Sequence, residues 1–212
     1  MGNVKKSGRH IWSILFNKIF PLIILTSCTI AINENGHRFL TDQEKQFFRP
    51  FSMDAFKNPH SYKNSMVIYE ISSRDIKQIT RKYRFTWVHI WAPYCRGKNC
   101  NNVINLISEV FGREKSNDMM VLLVSNSYDL RDIKLSLKNA DYTLPVFVIS
   151  NSAYGYGQSK GQKQMALEMD NNTLLRHNEY FSDYFFRDTL LIKASWNVTL
   201  SQIDSLMGKQ KF

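Results

Sequence analysis

An α/β layer fold with a central, largely parallel sheet is what the sequence predicts, and three observations carry it. From Met66 onward, short β-rich runs alternate with segments of helical periodicity. Two of the runs, Phe85–Trp91 and Met119–Ser125, are nearly continuous in β-forming or apolar residues, as strands covered on both faces are. The segments between them repeat apolar residues at helical spacing.

The elements follow in order. Residues 29–65 are polar and irregular, with Asn33, Asn35, Gly36, Asn58 and Pro59. Within them Thr41-Asp-Gln-Glu44 has the form of a capping box, so a short helix is expected there, ending before Pro50. Met66–Ile71 reads as a strand. Ser73–Tyr83 reads as a helix with Ile76, Ile79 and Tyr83 on one side. The strand Phe85–Trp91, a polar loop and a helix to about Phe111 come next. Met119–Ser125 reads as a buried strand, Asp129–Ala140 as a helix and Pro145–Ile149 as a strand. Residues 150–182 are expected to form an insertion, holding Gly155, Gly157, Gly161 and a helix around Gln162–Met169. Arg187–Ala194 reads as the final strand, and Thr199-Leu-Ser-Gln202 caps a last helix.

Composition bounds the function. With 43% hydrophobic and 22% charged residues in 212, the chain can bury a core and is not disordered. The net charge of +10 suggests nucleic acid at first sight. Four of the 28 basic residues (Lys5, Lys6, Arg9, Lys18) precede Cys28 with no acid among them, which lowers the excess on the rest from +10 to +6. That remainder is scattered and carries no nucleic-acid-binding motif, so no nucleic-acid partner is expected.

The basic stretch Lys5-Lys6-Ser7-Gly8-Arg9 leads into an apolar run ending Ile19–Leu25, and Leu25-Thr26-Ser27-Cys28 follows. A basic start, a short apolar core and small residues before a cut site define a secretory signal. The cysteine at the cut resembles the lipobox of bacterial lipoproteins. That resemblance implies a signal peptide over 1–27, acylation of Cys28 and a lipid-held N-terminus over 28–65. It further implies a globular domain over 66–212 facing the periplasm, with Thr29 favouring the outer membrane. The rival reading is an uncleaved membrane helix over Ile11–Ile32, which Asn17, Lys18 and Pro21 interrupt. Either way one cysteine pair, Cys95 and Cys100, remains in a compartment where disulfides persist.

Trp87-Val-His-Ile-Trp91-Ala-Pro-Tyr-Cys95-Arg-Gly-Lys-Asn-Cys100 stands at the end of the strongest strand, and Leu144-Pro145-Val-Phe-Val-Ile149 comes later. Here the chain resembles the thioredoxin superfamily, most nearly the membrane-tethered thioredoxin-like proteins of bacterial envelopes, whose strand runs into Phe-Trp-Ala-x-Trp-Cys-x-x-Cys. The resemblance covers about Met66 to Met207. It implies a thioredoxin-like three-layer fold with a central mixed sheet, an N-terminal extension and an insertion between the last two strands. It also implies thiol–disulfide exchange with protein dithiol or disulfide substrates, without a cofactor. Cys95 is then the nucleophile and Cys100 the resolving thiol, and a cis peptide at Leu144-Pro145 opens a strand beside them.

The spacing departs from that pattern, since four residues separate the cysteines instead of two. A helix counted from Cys100 places Val103, Ile104, Ile107, Val110 and Phe111 on one face, whereas counting from Lys98 places asparagines there. A helix on a sheet needs the apolar stripe, so Cys100 fits the second position. In a regular helix residues five apart have Cα atoms about 8–9 Å apart, and a disulfide needs less than about 7 Å. Residues 96–99 are therefore expected to loop out, with Gly97 permitting it. Arg96 and Lys98 would favour the thiolate.

His89 lies six residues before Cys95, where thioredoxins carry a buried acid that handles protons. Alternation groups it with Phe85, Trp87 and Trp91. It is either a proton relay or a core histidine with a hydrogen-bond partner. His177, in a polar stretch, reads as a surface histidine and no metal is expected; the alternative, a copper site with the two cysteines, has a spacing that differs from that of copper chaperones. A non-catalytic module also stays open, binding a partner through Tyr154, Tyr156, Tyr180, Phe181 and Tyr184.

Overall fold

The structure, a computed structural model, describes residues 36–54, 66–95, 98–113, 118–139, 142, 144–170, 175 and 180–208, without the side chains of 98–101, 111–113 and 139. All of them lie in the unit Glu34–Phe212.

The strands are β1 (Phe48–Pro50), β2 (Ile68–Ile71), β3 (Phe85–Trp91), β4 (Met119–Ser125), β5 (Val146–Ile149), β6 (Asp183–Arg187) and β7 (Leu190–Ser195). They form one sheet in the order β1-β2-β5-β4-β3-β6-β7. The first five are parallel, while β6 runs antiparallel to β3 and β7 antiparallel to β6. The helices are α1 (Asp42–Lys45), α2 (Ser73–Thr80), α3 (Lys98–Arg113), α4 (Leu130–Asn139), α5 (Asn151–Tyr154), α6 (Gln158–Met169) and α7 (Leu200–Leu206).

Local chemistry starts three of the helices. Thr41, Ser72 and Thr199 each accept a backbone N–H three residues on, and Glu44, Asp75 and Gln202 return the bond to the cap. Ile76 and Ile79 of α2 pack with Met165, Ala166 and Met169 of α6 on one face of the sheet. Ile104, Ile107 and Val110 of α3, Ile133 and Leu137 of α4, and Ile203 of α7 cover the other. Crossover handedness explains the division. The chain moves one way across the sheet from β2 to β3 and back the other way through β4 to β5, so right-handed connections lie on opposite faces.

Four sequence expectations change. Phe48–Pro50 is an edge strand and not part of a tether, because Phe48 finds a buried place beside Tyr128. Helix α3 begins at Lys98, two residues ahead of Cys100, so Lys98 and Asn99 are helical and do not loop out. Arg187–Ala194 is not one strand: Asp188 adopts φ 54 and turns the chain between β6 and β7. Aspartate tolerates the left-handed region, but Arg-Asp-Thr-Leu lacks the glycine that marks most such turns. The last two strands are thus joined tightly, and residues 150–182 fall before both. Far from being an appendage, α6 supplies a face of the core.

Candidate functional site

Strand β3 is buried from Thr86 to Trp91, and its last residues carry the chain to the C-terminal edge of the sheet. There the Cys95 N–H donates to the Ala92 carbonyl at 3.0 Å, closing a turn. Ser136 of α4, itself buried, donates from Oγ to the Pro93 carbonyl at 2.9 Å and ties that turn to the neighbouring helix. Tyr94 is 49% exposed, and Cys95 is half-buried and disulfide-bonded. Helix α3 starts three residues later, so its N-terminal dipole lies next to the turn in sequence.

On the other side of β3 lies β6. The Ile90 N–H donates to the Ser182 carbonyl at 2.7 Å, and His89 pairs directly with Asp183. The parallel unit β3–α3–β4, the antiparallel pair β6–β7 and the closing helix α7 give the strand order β4-β3-β6-β7 around a disulfide-bonded cysteine. This is the thioredoxin fold. The additions to it are β1, β2 with α2, and the α4–β5 excursion between β4 and α6.

No protein-family model matches the chain, and no curated protein matches it significantly. Among solved structures it is similar to a candidate protein disulfide isomerase from Bacteroides thetaiotaomicron, at 12% identity over 62% of this chain and 74% of that one, with a TM-score of 0.42. A thioredoxin-like protein in the oxidised form aligns at 15% identity over 66% and 83%, with a TM-score of 0.41. A candidate electron transfer protein from Aquifex aeolicus VF5 aligns at 11% over 66% and 88%, also with a TM-score of 0.41.

Leu144 and Pro145 do not sit where the resemblance implied. Pro145 opens β5, which β4 separates from β3. In register Val146 is level with Leu123, and Leu123 with His89. Pro145 therefore lies about 10 Å to the side of β3, and it precedes the start of a parallel strand whose other end faces the cysteine edge. The segment beside the end of β3 is Tyr180-Phe181-Ser182, which contains no proline. Antiparallel pairing selected β6 for that place, and a proline before a strand cannot by itself say which strand it will neighbour.

Of the other expected site residues, Cys28, Arg96 and His177 lie outside the described residues. Lys98 and Cys100 are in the first turn of α3. The buried stripe Ile104, Ile107 and Val110 lies on the face that the count from Cys100 requires.

His89 is buried and faces the α3 side of the sheet with Trp87 and Trp91. Its Nδ1 lies 2.8 Å from Asp183 Oδ1, and the same oxygen accepts from Trp87 Nε1 at 2.9 Å. Asp183 Oδ2 accepts from Ser182 Oγ at 2.6 Å. Asp183 escaped the sequence reading, and the one signal for it was an acid leading an otherwise aromatic run. Ser136 left no signal at all. The aromatic set read as an interface divides: Tyr154 and Tyr184 are buried core, whereas Tyr156 is exposed. Tyr180 and Phe181 pack on Trp196, which is 52% exposed, at ring distances of 5.6 and 5.8 Å.

Proposed function

We propose that the chain is a thiol–disulfide oxidoreductase of the cell envelope, exchanging a Cys95–Cys100 disulfide with protein dithiols or disulfides. The observation that supports it is the disulfide-bonded, half-buried Cys95 in the turn between β3 and the N-terminus of α3. Cys100 is the proposed partner, because the one other cysteine, Cys28, is the proposed lipid attachment. A thiolate attacking one sulfur forms a mixed disulfide and displaces the other as thiolate. The displaced thiolate later attacks in turn and releases the partner. When reduced, Cys95 gains from Arg96, Lys98 and the helix dipole, which favour a thiolate.

Cys100→Ser should accumulate mixed disulfides through Cys95, and alkylation of wild-type Cys95 should proceed well below the pH at which a free thiol reacts. Ordinary thiol titration together with no trapped mixed disulfide would sink this reading and leave a binding module. The envelope location rests on the segment before Cys28 and needs its own test. Mass spectrometry of the wild-type protein should find lipid on Cys28 and no Met1, and Cys28→Ser should be unacylated. An intact Met1 with an unmodified Cys28 would overturn it.

A further inference from the structure

Resting on the thiol-exchange reading of Cys95, we propose that Asp183 is a positioning residue of that site. It holds the Nδ1 proton on His89 and so leaves Nε2 as the nitrogen that accepts a proton from the attacking thiol. The placement is a direct cross-strand pair, His89 on β3 opposite Asp183 on β6. An indole N–H can only donate, so the bond from Trp87 Nε1 at 2.9 Å identifies Asp183 Oδ1 as an acceptor. His89 Nδ1 meets that same oxygen at 2.8 Å, and Ser182 Oγ donates to the second oxygen at 2.6 Å. Three donors around an acceptor-only carboxylate satisfy every partner. The opposite assignment needs a carboxyl proton on the very oxygen that receives the indole N–H.

Burial enforces the choice, because Asp183 is 1% exposed and His89 6%, and water does not compete for these bonds. From β4 the residue paired with His89 is Leu123, and α3 presents Ile104 and Ile107 to this face. Among the described residues Asp183 is the charged group set against the ring. A histidine whose tautomer is fixed by a carboxylate is a directed base. Where the attacking sulfur starts as a thiol, its proton passes to His89 Nε2 as the new S–S bond forms; a sulfur already held as thiolate attacks without that transfer. The old S–S bond breaks with its electron pair on the leaving sulfur, which takes back from His89 any proton so transferred. One disulfide is lost and one gained.

Long-range proton–nitrogen spectra of the full-length chain, with His89 assigned through His89→Gln, test the tautomer directly. The wild type should show Nδ1–H, and Asp183→Asn should lose that preference. Asp183→Asn and His89→Gln should each slow mixed-disulfide resolution near neutral pH by about tenfold or more and flatten its pH profile, with no further loss in the double variant. An Nε2–H tautomer in the wild type, an unchanged pH profile in Asp183→Asn, or additive losses would overturn the proposal. Should Asp183→Asn not fold, Trp87→Phe removes one donor without emptying the site, and the wild-type spectrum still decides. A wild type that exchanges no disulfide refutes the oxidoreductase reading, and the tautomer then judges Asp183 separately.

Discussion

Glu168 of α6 shows how a single side chain ties three helices together. It accepts from Ser73 Oγ at the start of α2, from Tyr154 OH at 3.1 Å and from Gln164 Nε2 at 3.1 Å. Burial pushes its carboxyl up, but these three bonds and the nearby Lys77 charge outweigh that and leave it below the usual range. A depressed carboxyl stabilises the fold above its ordinary pKa of 4.5, and the contribution is lost as pH falls through the lower folded value. Glu168→Gln should therefore cost about 1 kcal/mol at neutral pH, a small figure because the group is largely open to solvent. In thermal denaturation this corresponds to about 2–4 °C in Tm. The difference should shrink once the wild-type carboxyl is protonated in acid. An equal difference at both pH values would show that the charge is irrelevant.

At the scale of elements, α6 packs through small and polar residues, Gly161, Gln162 and Ala166 beside Met165 and Met169. A Cβ on Gly161 would stand 3.3 Å from Tyr154 Cβ and 3.6 Å from Ile149 Cγ2. Tyr154 Cβ is anchored to the α5 backbone and yields little. For Gly161→Ala the helix-propensity gain of about 1 kcal/mol offsets the crowding, and stability should stay within about 1 kcal/mol of wild type. Gly161→Leu should lose about 2 kcal/mol or more, read as a lower urea midpoint at unchanged slope. Capping is separable from packing: Ser72→Ala, which removes the acceptor for Asp75 N–H, should cost about 1 kcal/mol. The Thr41 and Thr199 capping boxes were visible in the sequence because each spans four residues, whereas the box at Ser72 emerged from the structure. The face of α6 was not, since its packing uses shape where apolar periodicity would have used hydrophobicity.

Across the whole molecule, buried tyrosines set an alkaline limit. Burial pushes the Tyr154 hydroxyl from 10 up to about 12, and burial raises Tyr128 and Tyr184 further. The uncharged phenols are favoured in the fold, so their stabilisation is complete below pH 10 and is lost as pH climbs through the folded values. Phenolate absorbance should appear together with loss of near-ultraviolet circular dichroism, in one cooperative step above pH 10. Gradual titration of all ten tyrosines with the fold intact would contradict this burial. A second test concerns the sheet. Trp87 is fully buried and stacks on Phe185 at 5.6 Å, so Trp87→Ala should cost about 3–5 kcal/mol, measured by urea unfolding.

The sequence by itself determined the Thr41 and Thr199 caps, the two central strands, the buried stripe of α3 and a loop after β3 at Cys95. Each depends on propensity or periodicity within one element, where neighbours in the chain are neighbours in space. Only the tertiary structure decided which strands adjoin. It made Phe48–Pro50 an edge strand, split 183–195 into a hairpin, carried Pro145 away from the cysteine edge and brought Tyr180-Phe181-Ser182 there instead. It also set Asp183 against His89 and Trp87, 94 and 96 residues away in the chain. Strand order follows from covering both faces of the sheet with right-handed crossovers, a condition on the whole chain that no local pattern carries.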